Sequence, residues 1–179
     1  MKKLKLFPLF FIGMLFSVSA SNSIENKDDN TNNWTSIDKA LAQTSAQKQF
    51  IFVEIYTDWC GWSKKLEDYT FTDENVEKTL NDNFVKVKLN AESEQKISFK
   101  GKEYDLVQNG NRTVNQLALD LGSMNGRLGY PTIVVLDKEG NKLKTFPGYK
   151  DAQGMQVLLS YFTSGAYKTT DFQIYQAGQ

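Results

Sequence analysis

Histidine is absent from this sequence. Its absence removes the commonest general base, the usual metal ligand, and the Ser–His and Cys–His nucleophile pairs. There is one cysteine, Cys60, which excludes an internal disulfide and a thiolate zinc cluster. No excess of charge exists either, because 21 basic residues balance 21 acidic ones. Nucleic acid demands a basic footprint and is not an expected partner. No metal-ligand spacing, phosphate loop or paired-carboxylate arrangement stands out, so no metal and no cofactor are expected. Proline is scarce, with three residues in all, which gives each one positional meaning.

What is present begins with a secretion pattern. Lys2, Lys3 and Lys5 precede an apolar stretch from Leu6 to Phe16, and Ser17 to Ala20 offer a small-residue exit. This is the layout of a cleavable signal over residues 1–20, and the product is expected in the periplasm or outside the cell. The apolar stretch is shorter than the roughly 20 residues of a membrane span, so no stable membrane anchor is expected. Removing it takes away three lysines and no acid, leaving a mildly acidic chain. Residues 21–33 are polar and read as a flexible leader. Residues 34–163 carry alternating strand and helix patterns of one domain, and 164–179 form a polar and aromatic tail.

Within the domain, Trp34 to Gln47 has the spacing of a short amphipathic helix. Phe50 to Tyr56 is a dense apolar run that suits a strand buried on both faces. A helix is expected from Cys60 or Gly61 to about Tyr69, and another from Asp73 to about Asn81. Phe84 to Leu89 reads as a second strand, parallel to the first. Lys96 to Tyr104 alternates around Gly101 and suggests a β-hairpin excursion. Arg112 to Leu121 has helical spacing. Pro131 to Asp137 and Lys142 to Phe146 read as a hairpin, followed by a closing helix from Asp151 to Phe162. The fold class expected is α/β, with a mixed central sheet flanked by helices and an inserted hairpin.

Cys60 follows a buried strand and opens a helix, where unpaired amides and the positive end of the helix dipole favour thiolate over thiol. Lys64 and Lys65 lie one turn on. A lone cysteine can equally be an inert, buried small hydrophobe, but the polar and aromatic flanks Asp58, Trp59, Gly61, Trp62 and Ser63 argue for a site. Trp59 and Trp62 can form an apolar lip for peptide substrates or pack in the core, core packing being the better expectation for Trp59. A lone exposed thiol also permits an intermolecular disulfide. Asn111-Arg112-Thr113 has the spacing of a glycosylation acceptor.

The run Trp59-Cys60-Gly61-Trp62-Ser63-Lys64 resembles the Trp-Cys-Gly-x-Cys-Lys active site of thioredoxins. Tyr56 to Asp73 looks closer to the thioredoxin-like domain of the periplasmic transmembrane thiol–disulfide reductase and its exported relatives. Gly129-Tyr130-Pro131-Thr132 is similar to the family's cis-proline loop, and Phe146-Pro147-Gly148-Tyr149 to its last strand. The resemblance runs from about Trp34 to Phe162 and implies the thioredoxin fold. It implies a nucleophile at Cys60, a buried proton-accepting acid at Glu54, and a cis Pro131 beside the sulfur with the Tyr130 backbone open to a substrate strand. Read without the family, Pro131 is a trans residue starting an edge strand, and Glu54 is equally a structural acid paired to a lysine.

Ser63 departs from the family, which places its second cysteine there. A hydroxyl forms no disulfide, so Cys60 can enter thiol–disulfide exchange but needs an outside thiol, or a client's own second thiol, to finish it. Ser63 can still donate a hydrogen bond to the thiolate. The expected activity is monothiol reduction or isomerisation. Its expected partners are client proteins bearing cysteines or disulfides and an external thiol reductant. The alternative is a redox-inactive binding module that presents Trp62, Tyr130 and Cys60 to a protein partner. A covalent hook for one dedicated partner shares features of both.

Overall fold

The computed structural model describes residues 33–179. The secretion signal over 1–20 and most of the 21–33 leader therefore lie outside the described residues. The sheet is organised around β2, Phe50–Tyr56, whose sequence FIFVEIY alternates two apolar faces. Both faces are needed, because β2 lies between two other strands and under helices on either side. It pairs in parallel with β3, Phe84–Asn90, and antiparallel with β8, Thr132–Asp137. Short β1, Trp34–Thr35, runs parallel to β3 on the far side. β9, Lys142–Pro147, closes the other edge against β8. The order is β1-β3-β2-β8-β9, a mixed sheet of the expected class.

Successive strand side chains point to opposite faces, so Ile51, Val53 and Ile55 share one core and Phe52 and Glu54 lie on the other face. The first core joins them to Val85, Val87 and Leu89 and to the helices α1, Ile37–Ala40, and α4, Gln116–Gly122. The second core packs Phe52, Phe84, Ile133 and Val135 under α3, Glu74–Asn83, and α5, Ala152–Thr163. Each fully buried Ile, Leu or Phe contributes about 1.5–3 kcal/mol relative to exposure. α3 begins where Asp73 caps it, accepting from the amides of Asn75 and Val76 at 3.1 Å each. That cap satisfies two of the four amides a helix start leaves unpaired.

Two of the helix expectations change. Trp34 does not begin a helix: its backbone joins the sheet edge opposite Lys86. Its ring packs 5.0 Å from that of Phe71 and 6.1 Å from that of Phe52. The helix that follows is α1, continued by a tight turn over Leu41–Gln43. Arg112 to Asn115 is likewise not helical. It forms β7, Arg112–Asn115, antiparallel to β6, Leu106–Asn109. Asn115 then caps α4 by accepting from the Leu117 amide at 2.9 Å. Val114, Leu117, Ala118 and Leu121 are all buried, so a strand residue and a helix face jointly mimic one helical stripe.

The excursion therefore contains two hairpins. The first joins β4, Ile97–Phe99, to β5, Lys102–Tyr104, through Lys100 and Gly101, both at positive φ. Glycine takes that conformation without steric cost. The C-terminal segment is ordered by aromatic packing. Gly165, at φ +80°, turns the chain after α5, and Asp171 caps α6, Phe172–Ala177. Phe172 sits 4.8 Å from the Phe146 ring and 5.3 Å from that of Tyr161. Among the described residues no helix is long and apolar enough to cross a membrane.

Candidate active site

β2 ends at Tyr56, and the chain turns through residues 57–59 with the Cys60 amide donating to the Thr57 carbonyl at 3.1 Å. Cys60 is the N-cap residue of α2, Gly61–Lys65, and its carbonyl accepts the first helical bond from the Lys64 amide. α2 continues as a single π turn over Leu66–Thr70, where the Phe71 amide reaches back five residues to the Leu66 carbonyl. Such π turns are uncommon and often accompany functional sites.

The sulfur does not cap the helix, since no α2 amide hydrogen-bonds to it. It lies instead 3.5 Å from the carbonyl oxygen of Tyr130, to which the thiol donates. This contact, together with the neighbouring chain, leaves Cys60 only 6% exposed. The exposed thiol expected from the sequence is thus a recessed one. The Tyr130–Pro131 peptide is cis. The Pro131 carbonyl accepts from the Gly148 amide at 2.8 Å, and Thr132 Oγ1 donates to the Gly129 carbonyl at 2.8 Å. The loop opposite Cys60 is therefore tied to β9 and to itself. A Cβ at Gly61 would meet nothing within 4 Å apart from its chain neighbours.

Ser63 is buried, and its hydroxyl has no hydrogen-bond partner. The expected hydroxyl–thiolate hydrogen bond is not formed, because the Cys60 side chain turns toward Tyr130. Glu54 is fully buried, and neither carboxyl oxygen has a hydrogen-bond partner. The pairing of Glu54 with a lysine is also not formed. Lys88 stands opposite Glu54 in the β2–β3 register, but its ammonium reaches out to Glu67 at 2.6 Å. Burial pushes the Glu54 carboxyl up to about 8, with Lys88 opposing and Glu67 adding to the rise. It is mostly protonated at neutral pH. The fold thus holds Glu54 and Ser63 near β2 and α2 without hydrogen-bonding either to the sulfur.

Both tryptophans are on the surface: Trp59 is 52% and Trp62 57% exposed. Core packing of Trp59 is ruled out by its environment, because the indole lies edge-to-face with Tyr130 at 5.8 Å and donates through Nε1 to Glu92 Oε2 at 2.8 Å. Trp62 lies 5.4 Å from the Tyr149 ring, and the Lys65 ammonium sits 5.1 Å from both ring centres. Lys65 is thereby engaged with the aromatic lip. The Tyr130 hydroxyl is pushed up to about 12 by burial and the nearby Glu92, with Arg112 opposing and Cys60 adding a smaller rise. Structure thus adds Glu92, Arg112 and Tyr149 to the residues read from the sequence. Glu92 and Arg112 lie far from Cys60 along the chain and carry no local signal of a role there, whereas Tyr149 ends the run Phe146-Pro147-Gly148-Tyr149 that resembles the family's last strand.

A family model described as a thioredoxin-like domain matches residues 37–163. The thiol:disulfide interchange protein DsbD of Photorhabdus laumondii is 35% identical over 51 residues, covering 28% of this chain and 8% of that protein. The similarity thus spans a small part of that relative's length. A thioredoxin-fold protein from Helicobacter pylori aligns with a TM-score of 0.53 at 16% identity, covering 72% of this chain and 82% of that one. A thioredoxin from Thermus thermophilus aligns with a TM-score of 0.52 at 16% identity, covering 73% and 86%. Strand order, a cysteine at the strand–helix junction facing the loop before β8, and the family match agree: this chain belongs to the thioredoxin-like domain family.

Proposed function

We propose that the chain is an exported thioredoxin-like protein that performs thiol–disulfide exchange through Cys60 alone. One observation carries the reading: the Cys60 sulfur sits at the start of α2, 3.5 Å from the Tyr130 carbonyl, while Ser63 occupies the place of the family's second thiol. The Cys60 thiolate attacks one sulfur of a client disulfide. The Cys60–client disulfide forms, the client S–S bond breaks, and the other client sulfur leaves with the electron pair. A glutathione-type thiolate, or a different thiolate of the client, then attacks the client sulfur of the mixed disulfide, a new disulfide forms, and Cys60 leaves with the electron pair. In the first case a second glutathione-type thiol displaces the client thiolate, so the client is reduced and two external thiols end as a disulfide; in the second a client disulfide of different pairing forms, which is isomerisation.

Trp59, Gly61, Trp62 and the Tyr130–Pro131 backbone supply the groove for an extended client segment, with backbone pairing giving affinity and the indoles apolar contact. Glu54 is the group able to hold or give a proton under α2, since burial keeps its carboxyl protonated near neutrality. Export through residues 1–20 provides an oxidising compartment in which client disulfides occur.

The test is to mix the reduced protein with a disulfide-linked peptide and weigh the products. A Cys60–peptide adduct that glutathione releases, and that Cys60→Ala abolishes, is expected. Scrambled-disulfide refolding that proceeds equally well with Cys60→Ala would overturn the reading. The recessed sulfur between two exposed tryptophans favours a second reading, a redox-inactive binding module. In that case client binding survives Cys60→Ala and fails in Trp62→Ala.

A further inference from the structure

The exchange reading gives no task to the inserted segment, yet that segment reaches the neighbour of the nucleophile. Glu92 lies two residues beyond the end of β3, and Arg112 opens β7 opposite Asn109 at the second hairpin's tip. Arg112 donates from a guanidinium nitrogen to Glu92 Oε1 at 3.0 Å, and Glu92 Oε2 accepts from the Trp59 indole at 2.8 Å. The guanidinium carbon lies 4.1 Å from the centre of the Trp59 ring. The indole is thus held at its edge by a carboxylate and on its face by the cation paired with that carboxylate. Its edge-to-face partner is Tyr130, whose carbonyl accepts from Cys60.

The hairpin that brings Arg112 is itself anchored to the end of β2. The Asn115 amide donates to the Ala91 carbonyl at 2.7 Å, and the Ala91 amide donates to the Tyr56 carbonyl at 2.8 Å. Asn90 Nδ2 donates to Asp58 Oδ2 at 2.9 Å, and the Glu92 amide donates to Asn90 Oδ1 at 3.0 Å. The arginine and the cysteine therefore hang from the same strand end. A half-exposed tryptophan without such a clamp samples several rotamers and loses that freedom on binding a client.

We propose that Arg112 is a positioning residue for client binding: stacked on Trp59 and joined to it through Glu92, it holds the indole against Tyr130. The two walls of the groove, residues 59–62 and 129–131, then keep their spacing as an extended segment enters. The groove's purpose rests on the exchange reading; the clamp does not. Lysine cannot replace the arginine, because an ammonium neither lies flat on an indole nor presents a planar fork to a carboxylate.

The experiment compares two reagents with one leaving group. The first is a short peptide whose cysteine is in mixed disulfide with thionitrobenzoate; the second is the symmetric dithiobis-nitrobenzoate, which has no peptide to bind. In each case the Cys60 thiolate attacks, a new disulfide forms, and thionitrobenzoate leaves with the electron pair and is followed by absorbance. The ratio of the peptide rate to the small-reagent rate reads the groove. Arg112→Ala is expected to lower that ratio about tenfold, the scale of one lost stacking and ion-pair contact. Arg112→Lys is expected to restore little of it. A residue that merely supports the fold changes exposure of the sulfur to both reagents alike and leaves the ratio unmoved. An unmoved ratio in Arg112→Ala overturns the proposal. If the unaltered protein reacts with neither reagent, the exchange reading fails. The clamp is then read by calorimetry with the same peptide carrying serine for cysteine: binding weakened about tenfold by Arg112→Ala upholds it, and equal binding or none in either protein overturns it.

Discussion

Replacing Glu54 by glutamine should stabilise the protein, and by an amount that grows with pH. In the unfolded chain this carboxyl loses its proton near its ordinary 4.5, whereas in the fold it keeps it to about 8. Between those values the unfolded state binds fewer protons, so stability falls as pH rises. The favourable contribution is whole below the unfolded value and is lost by the folded one. At about 1.4 kcal/mol per pH unit, the interval sets an upper limit of ~5 kcal/mol above pH 8 and ~3 kcal/mol at pH 7. Movement of Lys88 from Glu67 toward an ionised Glu54 reduces both figures. Glutamine keeps the shape and does not titrate, so its own unpaired amide adds a constant offset. The assay is urea unfolding, followed by far-ultraviolet circular dichroism, of both proteins at pH 5, 7 and 8.5. Titration of every other carboxylate cancels in the difference. A gap that stays constant across that range would refute the argument, because it would mean that Glu54 ionises in the fold as it does in the unfolded chain.

Ser63→Cys should restore a dithiol. Its hydroxyl is buried without a hydrogen-bond partner, so exchange for sulfur breaks no bond and should change stability by about 1 kcal/mol or less. Oxidation should remove both thiols from alkylation, seen by mass spectrometry; two alkylated cysteines after oxidant treatment would contradict the assignment of that position. Phe172→Ala should cost ~3–5 kcal/mol, the usual loss for a buried aromatic ring. It should also release α6, read as faster amide exchange over residues 164–179; unchanged exchange there would mean the segment is held by something other than Phe172.

Much of this fold was legible because its signals are local. The run FIFVEIY marks a strand with two buried faces, and the parallel partner, the β8–β9 hairpin and α5 are marked by their own periodicities. The cysteine at the strand–helix junction and the proline before β8 are likewise a few residues of adjacent chain. Local spacing failed where two elements meet within one pattern. Val114 and Leu117 are both buried although one lies in β7 and the other in α4, so strand and helix together counterfeited a single helix. Local spacing also fails at Trp34, whose backbone is decided by the β3 edge at Lys86, 52 residues away.

The site divides the same way. Sequence by itself determined that one thiol stands at a helix start with a hydroxyl three residues on, since order along the chain fixes both. Tertiary structure alone decided that the sulfur is recessed against Tyr130, that Glu54 is left unpaired, and that Trp59 is clamped from outside. Those facts depend on where Lys88 sends its ammonium and where a distant hairpin lays Arg112. Contacts between residues far apart in sequence are chosen by the packing of the whole chain, and no short stretch of sequence carries them.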